Sequence, residues 1–67
     1  MSTVATAPVD RLLYTPEEAA EALAIGRSTL YELMADGVLT YIKLGHSRRI
    51  KRTVLETYVA GLPSLPN

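Results

Sequence analysis

Only three residues, Ala24 to Gly26, separate two segments whose apolar residues recur at helical spacing. The first segment predicts a helix over about residues 16–23, and the second predicts a helix over about residues 27–35. Two short helices joined by such a tight turn must cross each other steeply, because the link is too short for a parallel or extended arrangement. The spacing therefore predicts a helix-turn-helix unit.

Both helices carry signals at their ends. Thr15 is the expected N-cap of the first helix, and Glu18, three residues later, completes a capping box. Pro16 suits the first helical position. Gly37 is expected just beyond the end of the second helix, where glycine readily adopts a left-handed backbone. The residues expected on the buried faces of the two helices are Ala19, Ala22, Leu23, Leu30, Leu33 and Met34.

The next segment predicts an antiparallel hairpin. Residues 39–44 are expected to form one strand, residues 45–47 a turn and residues 48–52 the returning strand. Side chains alternate between the two faces of a strand. The residues expected to face the core are Ile42, Leu44 and Ile50. The residues expected on the other face are Tyr41, Lys43, Arg49 and Lys51.

A third helix is predicted after the hairpin. Thr53 is its expected N-cap, with Glu56 completing a second capping box. Its expected core residues are Leu55, Tyr58 and Val59. The predicted fold is mostly α with a small β-hairpin: a winged helix-turn-helix with a two-stranded wing and a C-terminal helix, over residues 12–62. Residues 1–11 are expected to form a flexible arm and residues 63–67 a flexible tail.

Composition excludes several classes of protein. The 67 residues contain no cysteine and one histidine, so we expect neither a disulfide nor a metal or cofactor site. No apolar run approaches the ~20 residues of a membrane span, and the N-terminus lacks the pattern of a signal peptide. We therefore expect a soluble, cytoplasmic protein that binds no membrane and no small molecule. The chain is too short for a deep pocket, so no enzymatic activity is expected.

The charge is segregated although the chain is formally neutral. Six acidic and two basic residues lie from Asp10 to Asp36, whereas five basic and no acidic residues lie from Lys43 to Arg52. Clustered cations bind phosphates, and a narrow arginine-bearing hairpin fits a DNA minor groove. The candidate phosphate-binding residues are Lys43, His46, Arg48, Arg49, Lys51 and Arg52. The alternative is a solvated hairpin whose lysines and arginines protect a strand edge.

The start of the second helix is the second candidate contact surface. Arg27, Ser28 and Thr29 lie at the end of the helix that usually meets base edges. The Tyr31 hydroxyl is expected to donate to a phosphate. Glu32 fits less well, because it repels phosphates although it can accept a hydrogen bond from cytosine. The alternative is an ordinary amphipathic helix with a hydrated face.

The motifs "TPEEAAEALAI", "RSTLYELMADG", "IKLGHSRRIKR" and "VLETYV" together resemble the excisionase family of small winged helix-turn-helix DNA-binding domains. This family is related to the DNA-binding domain of MerR regulators, and the resemblance covers about residues 12–62. It implies that the second helix enters the major groove through Arg27, Ser28, Thr29 and Tyr31. It also implies wing contacts from His46, Ser47, Arg48 and Arg49, with Lys43 and Lys51 supporting them at the backbone. Gly26 and Glu32 depart from the family pattern.

The resemblance also implies a role. Excisionases are non-catalytic phage or mobile-element proteins that bind adjacent sites cooperatively, bend DNA and direct an integrase toward excision. The expected partners are double-stranded DNA, a phage-type integrase and further copies of the chain, arranged head-to-tail, in a bacterial or phage-infected cytoplasm. Two alternatives remain: a small MerR-like transcriptional regulator, and a protein-interaction module without DNA binding that uses Tyr41, Tyr58 and the tail "LPSLP".

Overall fold

Three helices and three short strands make up residues 11–66, the part of the chain that the structure, a computed structural model, describes. In chain order they are β1 (Leu13–Tyr14), α1 (Pro16–Leu23), α2 (Arg27–Ala35), β2 (Ile42–Leu44), β3 (Ser47–Lys51) and α3 (Arg52–Ala60). Residues 1–10 of the predicted N-terminal arm lie outside the described residues. The winged helix-turn-helix fold predicted from the sequence is confirmed.

The two helices of the helix-turn-helix unit have the predicted bounds. The Thr15 hydroxyl accepts a hydrogen bond from the backbone N–H of Glu18 at 3.0 Å, and the backbone N–H of Thr15 donates to Glu18 Oε1 at 3.0 Å. This is the predicted capping box. Gly37 follows α2 with φ 78°, in the left-handed region predicted for it. Local signals of this kind depend only on neighbouring residues, which explains why they were predictable.

The turn between α1 and α2 combines a glycine N-cap with one left-handed residue. Gly26 is the N-cap of α2, with extended backbone and no side-chain hydrogen bond to the helix. The left-handed residue of the turn is instead Ala24, the C-cap of α1, with φ 59°. Its backbone N–H hydrogen-bonds to the carbonyls of Ala20 and Glu21, so the bonds that end α1 hold this non-glycine residue in a costly conformation.

The sheet has three antiparallel strands in the order β1-β3-β2, and not only the two strands of the predicted wing. Leu13 pairs with Lys51, and Tyr14 pairs with Ile50. Two residues are too few for a visible alternation of apolar and polar side chains, so the sequence did not indicate β1. β3 is therefore the central strand and is held on both sides.

The pairing register overturns both predicted faces of the hairpin, since it also puts Lys43 on the opposite face from Arg49 and Lys51. Ile42 pairs with Arg49, and Leu44 pairs with Ser47. Directly paired residues share a face of the sheet, whereas Ile50, one residue after Arg49, points to the other face. Ile42 and Leu44 therefore do not share the core-facing side with Ile50, and Leu44 is 52% exposed. A shift by one residue reverses every side chain of a strand, and the sequence did not determine that shift.

The start of α3 was predicted incorrectly. β3 runs directly into α3, whose N-cap is Lys51, and no side chain caps this end of the helix. The predicted capping box of Thr53 and Glu56 is therefore absent; Glu56 accepts a hydrogen bond from Arg52 Nε at 3.1 Å instead. Val59, predicted to lie in the core, is 50% exposed. The strand–helix junction fixes the backbone at Lys51, which leaves Thr53 inside the first turn.

The core lies between the sheet and the three helices. Its buried side chains are Ala19, Ala20, Leu30, Met34, Leu39, Ile50 and Leu55. Ala22, predicted to be buried, is exposed, whereas Ala20 is buried. Leu39, predicted to begin a strand, lies in the link before β2 and has no exposed surface. Tyr58 packs against this cluster, as predicted, and so does Tyr14.

Candidate nucleic-acid interface

The first turn of α2 presents polar side chains to solvent. Arg27, Ser28 and Thr29 are all exposed, while Leu30 and Met34 hold the other face of the helix in the core. Because Gly26 has no side chain to cap the helix, nothing from the N-cap residue covers this end. The first turn of α2 is therefore exposed to solvent.

The wing consists of β2, β3 and the turn at Gly45 and His46. Gly45 has φ 63°, a conformation that side-chain-bearing residues rarely adopt, and it allows the tight reversal at the tip. Lys43 pairs with Arg48, so these two side chains share a face of the hairpin. Arg48 also shares that face with Ile50, two residues further along β3. The register therefore places Lys43 and Arg48 on the side of the sheet that faces the helices.

Arg48 contacts α2 directly. Its guanidinium carbon lies 5.2 Å from the centre of the Tyr31 ring on α2 and 5.7 Å from the centre of the Tyr41 ring. Both distances are within the range of cation–π attraction. Arg48 is half-buried as a result. The wing and α2 are thus joined by one side chain, and their exposed residues lie on adjacent surfaces.

Tyr31 is held on its other side by α1. Its hydroxyl donates a hydrogen bond to Glu17 Oε2 at 2.9 Å. The pKa of the Glu17 carboxyl is below its usual value because of its own backbone N–H, the Tyr31 hydroxyl, and the nearby charges of Arg27 and Arg48. The same hydrogen bond to Glu17 raises the pKa of Tyr31. The Tyr31 proton that the sequence assigned to a phosphate is therefore already donated within the protein.

We call Glu17, Tyr31, Tyr41 and Arg48 the Arg48 cluster. The sequence did not predict this cluster. The nearest signal in the sequence was the exposed face predicted for Tyr41 and Lys43. Since Arg27 and Ser28 lie four and three residues before Tyr31, helical geometry places them beside the cluster.

Arg49 points away from the Arg48 cluster, on the opposite face of β3. Its Nη1 donates to the backbone carbonyl of Arg48 at 2.9 Å, and its side chain is half-buried. Its charge contributes to the lowered pKa of Glu18, after the larger effects of the Thr15 backbone N–H and of Arg11. The two adjacent wing arginines therefore have different surroundings.

The remaining predicted wing residues lie at the two ends of the hairpin. His46 and Ser47 are exposed at the tip, and Lys51 is exposed at the base, beside α3. Four residues of extended strand separate Ser47 from Lys51, a distance of about 13 Å. A duplex that contacts both must therefore extend along the length of the wing.

Residues 11–66 contain no group of three or more side chains that could hold a metal ion. None of the helices in this range has the length and apolar character needed to cross a bilayer.

Comparison with known proteins gives two matches. Residues 13–62 match the family described as "Helix-turn-helix domain". The chain is also 43% identical, over 53 residues, to a protein of Saccharopolyspora erythraea named a probable excisionase. The aligned part is 79% of this chain and 54% of that protein, so the chain spans about half the length of its relative.

Proposed function

We propose that this chain, which belongs to the helix-turn-helix domain family as an excisionase-type protein, binds double-stranded DNA through α2 and the wing together. The observation that carries this proposal is the contact of Arg48 with Tyr31, at 5.2 Å from the ring centre. It brings the wing against the helix whose first turn is open. A helix in the major groove and a wing in the adjacent groove then contact one duplex.

The proposed base contacts come from the first turn of α2. Arg27 presents a guanidinium that suits the two acceptors of guanine, and the short side chains of Ser28 and Thr29 allow a close approach to the groove. The proposed phosphate contacts come from exposed wing residues, Lys43, His46, Ser47 and Lys51, and from Arg49 on the other face. These contacts add affinity that does not depend on sequence.

The proposed binding mode predicts a steep salt dependence. If about four cationic side chains neutralise phosphates, log K should fall against log salt with a slope of about −3.6. Fluorescence anisotropy with a labelled 20-base-pair duplex, between about 50 and 200 mM salt, measures this slope. A slope near zero, or no binding at the lowest salt, contradicts DNA binding and favours a protein-interaction module that uses Tyr41, Tyr58 and the exposed tail.

Base recognition predicts a different effect for residues of α2. Arg27→Ala or Ser28→Ala should reduce discrimination between a selected site and unrelated DNA by about 5- to 100-fold, since one good bidentate contact is worth about 1–3 kcal/mol. Competition gel shifts with specific and mixed-sequence duplexes measure the ratio. Lys43→Ala is the control, because it should weaken binding to both duplexes equally. An unchanged ratio in both α2 variants contradicts base contacts from this helix.

The finer role that we propose is that of an excisionase. The chain would bind several adjacent sites cooperatively, bend the duplex and direct a phage-type integrase toward excision. Bending costs of order 1–6 kcal/mol, which several protein–DNA contacts along the site can offset. The support for this role is the probable excisionase to which the chain is similar. The test is a gel shift across an attachment region, followed by integrase-driven recombination with and without the protein.

A promoter-restricted footprint with no effect on excision would instead favour a small MerR-like regulator. This outcome leaves the DNA-binding surface as proposed and changes only its biological use. The two roles differ in whether the bound protein alters the products of the integrase, so the recombination assay separates them.

We further propose that neighbouring copies associate head-to-tail on DNA, because the acidic residues precede the basic wing in the chain. Glu17 and Glu18 already have partners within the protein, which leaves Glu21 as the exposed acid of α1. Sedimentation on a duplex with several sites tests the arrangement. Cooperative loading that Glu21→Lys abolishes is expected, whereas independent loading of monomers contradicts it.

A further inference from the structure

We propose that Arg48 is a positioning residue, which sets the orientation of the wing against α2 and makes no phosphate contact. This inference rests on the proposed function, since it concerns how the wing reaches DNA. It assigns a different role to a residue that charge pattern alone places among the phosphate contacts. A phosphate contact contributes to the salt dependence of binding, whereas a positioning residue does not, so the two roles can be distinguished by experiment.

The first argument is that both neighbours of the Arg48 guanidinium are aromatic rings of other segments. Tyr31 belongs to α2, and Tyr41 lies in the link before β2, at 5.2 and 5.7 Å from the guanidinium carbon. Arginine is suited to this position because its planar guanidinium stacks on aromatic faces and is weakly hydrated. One side chain thus connects β3, α2 and the link that precedes β2.

The second argument is that the Tyr31 ring is itself fixed. Its hydroxyl donates to Glu17 Oε2 at 2.9 Å, which ties the ring to α1. Glu17 is close enough to Arg48 for the guanidinium charge to contribute to its lowered pKa. The carboxylate therefore offsets part of the Arg48 charge, so this arginine is a weaker partner for a phosphate than the exposed Lys43 on the same face.

The consequence is that the wing is oriented before DNA arrives. β2 has three residues and, within residues 11–66, pairs only with β3, so the hairpin itself contributes little stiffness. The Arg48 cluster supplies the additional connection to α1 and α2. A wing that is already ordered in the free protein loses less conformational entropy when it binds DNA. This raises the affinity without a new contact to DNA.

The experiment compares Arg48→Gln with Lys43→Gln, which removes the same charge from the paired position. Both variants are titrated with a mixed-sequence 20-base-pair duplex at several salt concentrations. Lys43→Gln should reduce the slope of log K against log salt by about 0.9. Arg48→Gln should weaken binding by about fivefold at every salt concentration and leave the slope unchanged. An equal loss of slope in both variants overturns the proposal.

Two further variants separate positioning from charge. Arg48→Lys keeps the charge but loses the planar stacking group, so it should bind as weakly as Arg48→Gln; recovery of wild-type affinity overturns the proposal. Glu17→Ala removes a negative charge near the interface, which by electrostatics alone should tighten binding. Positioning predicts the opposite sign, weaker binding. The control Asp36→Ala removes an exposed acid at the C-terminal end of α2 and should not weaken binding.

A measurement on the free protein keeps this proposal separate from the proposed function. If the wild type fails to bind any duplex, DNA binding fails, but the orientation of the wing can still be measured. Amide hydrogen exchange over Ile42–Leu44 should be faster in Arg48→Gln than in Lys43→Gln at equal melting temperature. Equal exchange in the two variants overturns the positioning role, whatever the result with DNA.

Discussion

Leu39→Ala is expected to lower the free energy of unfolding by about 3 kcal/mol, because it leaves a cavity at a side chain that is fully buried. A chain of 67 residues has a total stability of roughly 3–10 kcal/mol, at about 0.05–0.15 kcal/mol per residue. The melting temperature should therefore fall by about 15 °C, and part of the population should be unfolded at 37 °C.

The adjacent residue provides the control for this change. Val38 is 50% exposed and lies in the same link, so Val38→Ala should alter the free energy of unfolding by less than about 0.5 kcal/mol. Thermal and urea unfolding, followed by circular dichroism, measure both variants. Equal losses of stability in the two would show that Leu39 does not occupy the core, and that the link before β2 is placed incorrectly.

Reversing both central wing charges, Arg48→Glu with Arg49→Glu, is expected to weaken binding to every DNA sequence by at least about 100-fold near 100 mM salt. The change turns two cations of the wing into two anions close to phosphates. It also removes the stacking of Arg48 on Tyr31, so the wing loses orientation as well as charge. Gel shifts with both a selected site and mixed-sequence DNA measure the loss.

Two controls isolate the cause of that loss. Arg49→Glu alone keeps the Arg48 side chain and its stacking on Tyr31, so any loss that it shows does not come from that stacking. Arg11→Glu reverses a charge outside the wing, at a residue paired with Glu18 at 3.3 Å, and screening should limit its effect on binding to less than about threefold. A double variant that stays folded and binds as well as Arg11→Glu would contradict a DNA-binding wing.

The predictions that the structure confirms depend on residues close together in the chain. Thr15 and Glu18 are three residues apart, and their reciprocal hydrogen bonds are local to one turn of helix. Gly37 has the left-handed backbone expected where a helix ends. The link between α1 and α2, residues 24–26, is so short that the two helices must cross steeply. The fold class follows from such signals.

The incorrect predictions concern pairings between distant segments. The two-residue strand β1 exists only because β3 offers it a partner about 37 residues later. The second capping box failed because β3 continues directly into α3, which moves the start of that helix to Arg52. Leu39 was assigned to a strand, yet it fills the core from a link. In each case tertiary contacts prevailed over a local preference.

The sequence by itself determined the order of the three helices and the hairpin, the ends of α1 and α2, and the concentration of positive charge in one hairpin, because each of these is a property of a short stretch of chain. Only the tertiary structure decided which face of that hairpin meets α2. A one-residue difference in register would place Arg48 on the opposite face, away from Tyr31 and Glu17. Strand pairing and the packing of Ile50 choose between these registers, and the energies involved come from segments that are far apart in the chain.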